Sequence, residues 1–233
     1  MVHKSLRKSI VLLSGGLDST VAFKKVCDET HVILAISFNY GQRSAEKEIE
    51  AAKRICRQFS VNHQAISLPW LRDITNTSLV DREKNVPQLR ESELDNATGK
   101  AHESAQAVWV PNRNGIFINI AAAFCESMGA ELLVTGFNAE EAETFPDNSP
   151  RFIGAINDSL HFSTLKDIEV VSPTLGFDKA GIVQLGIEIG APLEKIWSCY
   201  EDGDRMCGKC ESCMRLKRAL SASASDLEKK LYQ

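Results

Sequence analysis

Residues 12–20 read LLSGGLDST and overlap the end of SIVLL (9–13), a short apolar run rich in β-branched residues. Such a run reads as a buried strand. It gives way at once to Ser14-Gly15-Gly16 and then to DSTVAFKKVCDE (18–29), which has helical spacing with Asp18 or Ser19 as its expected cap. A strand that turns through glycines into a helix presents free backbone N–H groups at a positive dipole end, which is an anion site. The glycines permit φ > 0 and close backbone approach, and Ser14, Ser19 and Thr20 add hydroxyl donors. Phosphate is the expected guest. The stretch is not a Walker A loop, which requires GxxxxGK followed by Ser or Thr, because no lysine occurs in it. A loop without that cation suits a pyrophosphate that departs as a unit, so AMP is the expected by-product rather than ADP. Asp18 then either caps the helix or helps to hold Mg²⁺.

The same alternation continues outward. HVILAISF (31–38), HQAISL (63–68), ELLVTGF (131–137) and IEVVSP (168–173) read as further strands. Helical spacing separates them in RSAEKEIEAAKRICRQF (43–59), INIAAAFCESMG (118–129) and IGAINDSLHFS (153–163), and FDKAGIVQLGIEIG (177–190) follows, closed by Gly190. Strand and helix in alternation predict an α/β fold with a doubly wound, mainly parallel, five-stranded sheet. Residues 69–108 break the rhythm, being polar and weakly periodic, and are expected to be a long loop or lid.

The chain has 233 residues, 43% hydrophobic and 25% charged, which fits one α/β domain with a small appendage: an ATP-binding body over 1–195 and a metal-binding segment over 196–233. A net charge of −4 without blocks of like sign argues against a stable nucleic-acid partner. No run approaches the ~20 apolar residues of a membrane span, and the basic start lacks a signal peptide's apolar stretch, so a cytoplasmic location is expected.

Seven cysteines are present, and four of them, Cys199, Cys207, Cys210 and Cys213, crowd into a C-x7-C-x2-C-x2-C pattern. Four thiolates at this spacing can close a tetrahedral site, for which zinc is the leading metal and an iron–sulfur cluster the runner-up. With every position filled by protein the site is structural. Cys27, Cys56 and Cys125 fall on expected helices and read as small core residues. His3, His31, His63, His102 and His161 show no ligand spacing.

SGGLDST resembles the loop of the PP-loop ATP pyrophosphatase superfamily, whose members adenylate a substrate and release pyrophosphate. YGQRSAEKE (40–48), VPNRN (110–114), FPDN (145–148), FDK (177–179), WSCY (197–200) and CGKCESC (207–213), in this order, resemble the 7-cyano-7-deazaguanine synthase family. That resemblance implies ATP-dependent conversion of 7-carboxy-7-deazaguanine and ammonia to the nitrile through an acyl-adenylate and an amide, in a zinc-bearing homodimer. It implies an ATP cradle formed by Leu13, Ser14, Gly15, Gly16, Leu17, Asp18, Ser19, Thr20, Val21, Ala22 and Phe23. Asp18, Arg43, Arg113 and Lys179 would act on phosphate or carboxylate charge, and Tyr40, Gln42, Arg43, Arg113, Asn114, Glu141, Phe145 and Asp147 would meet the substrate. Tyr40 and Phe145 would stack on the deazaguanine and Asp147 would accept its paired N–H groups.

The run FNAEEAETFPDNSPRF departs from the family's usual YPDCR-like pattern, with Glu141 near an expected aspartate, Phe145 for tyrosine and Asn148-Ser149 for Cys-Arg. A paralogue that stops at the amide or joins the acyl group to another amine is therefore a second reading, and a tRNA-modifying PP-loop enzyme a third.

Overall fold

The computed structural model describes residues 6–95, 99–221, 223 and 225–232, so His3 lies outside the described residues. Five strands form one sheet: β1 (Lys8–Leu12), β2 (His31–Asn39), β3 (His63–Ser67), β4 (Leu132–Val134) and β5 (Glu169–Val171). Their order is β3-β2-β1-β4-β5, and all four pairings are parallel. The chain therefore winds outward to β3 on one side of β1 and returns to β4 and β5 on the other. The crevice between the C-terminal ends of β1 and β4 is the switch point where such sheets bind ligands.

Helices cover both faces because the strand side chains alternate. Val11 and Leu13 pack with Ala22, Phe23 and Val26 of α1 (Leu17–Glu29) and with Ala52 and Ile55 of α2 (Ala45–Gln58). Ile10, Leu34, Ile36 and Leu133 face the other way, toward Ile118, Ala121 and Cys125. α3 (Pro69–Asp73), α4 (Lys100–Val108), α5 (Arg113–Met128), α6 (Ala139–Ala142), α7 (Pro150–Ser163) and α8 (Lys179–Glu188) complete the body. Gly190 at φ +68° ends α8, as its position predicts. α9 (Glu211–Ser221) and α10 (Ser225–Tyr232) follow the cysteine cluster. Among the described residues no helix is long and apolar enough to cross a membrane.

Three expectations change. The segment 69–108 carries two helices and docks on α9: Leu89, Leu94 and Ala101 pack with Met214, and Ser104 Oγ donates to Glu211. Its polar surface hid a narrow apolar face. α5 begins at Arg113, five residues before the expected start, because its first turn is polar and faces the sheet end. Neither Asp18 nor Ser19 caps α1. Gly16 is the N-cap, and the Leu17 N–H donates across 181 residues to Ser198 Oγ at 3.2 Å.

The segment from Trp197 onward shares a core with the body. Trp197, Cys199, Cys210, Cys213 and Leu216 pack with Leu17, Val21, Ile182 and Val183. Burial pushes the thiols of Cys27, Cys56 and Cys125 up to about 12, which suits inert core residues and not nucleophiles.

Candidate functional site

A cavity of about 290 Å³ opens at the β1–β4 switch point. Its floor is the loop read first from the sequence: Leu13, Ser14, Gly16, Leu17, Asp18 and Ser19 all line it. Contacts within the loop set its shape. Ser14 Oγ and Ser19 Oγ lie 3.0 Å apart, and the Gly16 N–H donates to Ser14 Oγ at 3.3 Å. Gly15 turns its back to the cavity at φ +80°, where a Cβ would come within 2.7 Å of the Glu48 carbonyl oxygen. Its own carbonyl accepts from the Trp197 N–H at 2.8 Å. Thr20, Val21, Ala22 and Phe23 lie outside the cavity as well: the last three are fully buried in the core, and Thr20 is fully buried with its Oγ1 unpartnered.

Gly136, which strand patterning did not flag, closes the other side of the crevice. A Cβ there would lie 2.6 Å from the Ser19 nitrogen and 2.7 Å from its Cα. Those are backbone atoms and cannot swing aside. Gly136→Ala is therefore expected to destabilise the protein by about 1–3 kcal/mol, a drop in melting temperature of roughly 2–12 °C that thermal unfolding will read.

The cation absent from the loop arrives from elsewhere in the chain. Lys179, the first residue of α8, donates its ammonium to Asp18 at 2.5 Å and to Glu141 at 2.6 Å. Burial alone would lower the lysine's pKa, but the two carboxylates reverse the shift, so it stays charged. Burial raises the Asp18 carboxyl to about 6 against the pull of Lys179. Burial also pushes Glu141 upward, yet Lys179, Arg215 and Arg113 leave it below its ordinary value. Asp18 Oδ1 is buried and unpartnered, which is the kind of oxygen a hard divalent cation takes.

Aromatic and polar side chains form the opposite wall. Phe38 and Phe117 stack at 4.0 Å, Tyr40 tilts against Phe117 at 5.8 Å, and the Arg113 guanidinium lies 5.9 Å from the Tyr40 ring centre. Asn114, Phe145 and Asn148 complete this wall. Gln42 reaches the cavity, but its amide bridges the turn after β2, accepting from the Tyr40 N–H and donating to the Phe38 carbonyl and Glu48.

Two of the expected substrate residues lie elsewhere. Arg43 points into the 81–84 turn, where it donates to the carbonyls of Asp81 and Lys84 and pairs with Glu201 at 3.3 Å. Asp147 stands behind Asn148, from which it accepts at 3.2 Å, and Asn148 is the residue that lines the cavity. Ser37, Glu48, Ser198 and Tyr200 line it without having been singled out. Glu48 closes the quoted YGQRSAEKE run, and Ser198 and Tyr200 sit in WSCY, so those motifs carried the signal.

The Sγ atoms of Cys199, Cys207, Cys210 and Cys213 all lie within 4.8 Å of one another. Backbone N–H groups of Glu201 and Cys207 donate to Cys199 Sγ at 3.3 Å, and those of Lys209 and Cys210 to Cys207 Sγ at 3.4 and 3.3 Å. Donors aimed at sulfur favour thiolates, and four thiolates this close can hold one metal ion.

The profile of the family described as queuosine biosynthesis protein QueC matches residues 8–224. The chain belongs to the QueC family. A 7-cyano-7-deazaguanine synthase from Carboxydothermus hydrogenoformans is 51% identical over 92% of this chain and 98% of its own length. Synthases of the same name from Bdellovibrio bacteriovorus and Methanosarcina mazei are each 46% identical, over 97% of both chains for the first and 91% and 93% for the second. Among solved structures, a 4-thiouridine synthetase–RNA complex with bound ATP superposes with a TM-score of 0.51 at 20% identity, over 97% of this chain and 53% of that one. The U34-tRNA thiolase NcsA from Methanococcus maripaludis gives a TM-score of 0.50 at 15% identity, over 99% and 70%. At such identities these two structures establish that this QueC family member has a PP-loop-like fold and nothing more.

Proposed function

We propose that this chain is an ATP-dependent carbon–nitrogen ligase that converts 7-carboxy-7-deazaguanine and ammonia to 7-cyano-7-deazaguanine. The observation that carries the reading is one cavity in which an anion-binding loop and the Asp18–Lys179–Glu141 group face an aromatic wall bearing Arg113. A planar heterocyclic acid and the phosphates of a nucleotide need just such neighbouring walls.

A carboxylate is a poor electrophile, so its oxygen first attacks the α-phosphorus of ATP and pyrophosphate leaves. Ammonia then displaces AMP from the acyl-adenylate to give the amide. A second ATP activates the amide oxygen, and loss of AMP with a proton gives the nitrile. In this reading the loop at Ser14–Ser19 holds the pyrophosphate through both activations, Lys179 steadies its charge, and the unpartnered Asp18 Oδ1 would hold Mg²⁺. Arg113 and Asn114 orient the substrate carboxylate, and Tyr40 and Phe145 stack on the ring. Zinc fits the four cysteines and supplies a structural tie. A homodimer, as the resemblance implies, working in the cytoplasm completes the proposal.

The departure in FNAEEAETFPDNSPRF does not favour the paralogue, since relatives named as the synthase match this chain at 46–51% identity across nearly their whole length. Purified protein incubated with 7-carboxy-7-deazaguanine, ammonium, Mg²⁺ and ATP is expected to yield the nitrile and AMP by mass spectrometry. Accumulation of amide alone, or no conversion, would overturn the reading.

A further inference from the structure

α6 is only four residues long, too short to hold itself as a helix, yet it carries Glu141 into the cavity. Asn138 caps it, accepting from the Glu141 N–H at 2.9 Å. The Ala139 N–H donates to the Phe177 carbonyl at 2.9 Å, and a further hold comes from the helix's other acid. Glu140 points away from the cavity, and both its oxygens are taken. Oε1 accepts from Arg215 at 2.5 Å and from Arg218 at 2.8 Å, and Oε2 accepts from the backbone N–H of Lys179 at 3.2 Å.

Arg215 is 7% exposed and engaged on three sides. It pairs with Glu211 at 2.9 Å, donates to the Leu94 carbonyl at 3.2 Å, and meets Glu140. Glu211 is in turn buried against Ser104 of α4. Glu211 and Arg215 sit on the first turns of α9, the helix that also bears Cys213 and follows Cys210 directly. Apolar side chains would pack α9 onto the body at least as stably as buried ions do, so stability alone does not account for this network. What it adds is direction: it links the metal-bearing helix to the two residues, Glu141 and Lys179, that face the phosphate loop.

We infer that Arg215 is a positioning residue, which through Glu140 fixes the Glu141–Lys179 pair against Asp18 and makes cavity geometry depend on the metal-held helix. The inference rests on the proposed reaction for its kinetic readout, but not for its binding readout. The test uses full-length, metal-loaded protein with Arg215→Met, Arg215→Lys and Glu140→Gln. Metal content, melting temperature, MgATP affinity by calorimetry, and kcat and KM for each substrate are measured on all of them.

Arg215→Met and Glu140→Gln are expected to keep their metal while MgATP affinity and kcat fall by about 10- to 100-fold. Arg215→Lys, which can keep one of the ion pairs, is expected to recover part of that loss. If Arg215→Met sheds its metal, Glu140→Gln decides alone. Metal-loaded Glu140→Gln with affinity and kcat within twofold of the wild type overturns the inference, as do losses that only track the unfolded fraction. Should the wild type turn over no acid, the reaction reading fails while MgATP affinity still tests this one.

Discussion

Cys210→Ser protein is expected to purify without bound metal, to melt about 10–20 °C lower than the wild type, and to lose its turnover. The magnitude follows from scale: loss of even ~5 kcal/mol of the ~10–16 kcal/mol that structural zinc supplies in small peptides, at ~2–4 °C per kcal/mol, gives that shift. The loss of turnover follows from connectivity. Cys199 is preceded by Trp197, whose N–H holds the Gly15 carbonyl, and by Ser198, whose hydroxyl caps the first N–H of α1. When the sulfurs repel one another or take protons, that segment loses its anchor and the Ser14–Ser19 loop loses two of its hydrogen bonds. Metal analysis, a melting curve and the nitrile assay check all three parts. A metal-free Cys210→Ser protein with wild-type melting temperature and turnover would show that the cluster holds nothing in place.

Much of this arrangement was legible in the chain because its signals are local. The turn at Ser14–Gly16 combines a strand end, glycines and a helix start within nine residues, and the cysteine spacing sets four sulfurs within one short segment. The parallel sheet followed from strand and helix alternating, and β1 to β5 fall inside the expected runs apart from one or two residues at their ends.

What escaped was long-range. Nothing near Asp18 announces that its partner is 161 residues away, so the resemblance named Lys179 as a cation but no local signal set it against this carboxylate. The same applies to Ser198 as the cap of α1. Arg43 failed in the opposite direction: its motif pointed to the substrate, but the Asp81 and Lys84 carbonyls, invisible as acceptors in sequence, draw it into a turn. The segment 69–108 looked like a lid because its apolar residues show no clear period: Leu71 and Val80 find cover in the main core, and Leu89, Leu94 and Ala101 pack with Met214 of α9.

Lys179→Met is expected to lower kcat/KM for ATP by about 10²–10³-fold, the scale of losing one preorganised charge at a developing anion. Methionine keeps much of the length and removes only the ammonium, so Asp18 and Glu141 face each other unpaired. Leaving a buried charge without its partner costs about 3–5 kcal/mol of stability unless one group takes a proton. Asp18 is the group that takes it. Burial already raises it to about 6, Glu141 pushes it further up, and Lys179 is what holds it down. The pH dependence then has a defined sign. If the ionised carboxylate binds Mg²⁺, activity falls as pH drops through the Asp18 pKa, with an acid limb near 6 in the wild type. Without Lys179 that pKa rises, so the limb moves to higher pH. Lys179→Arg keeps the charge and is expected to return the limb toward the wild-type position even if kcat recovers only in part. Full pH profiles of kcat/KM for the three proteins separate this from simple unfolding, which lowers the plateau without moving the limb. An unmoved limb in folded Lys179→Met protein would mean that Asp18 does not titrate in the reaction.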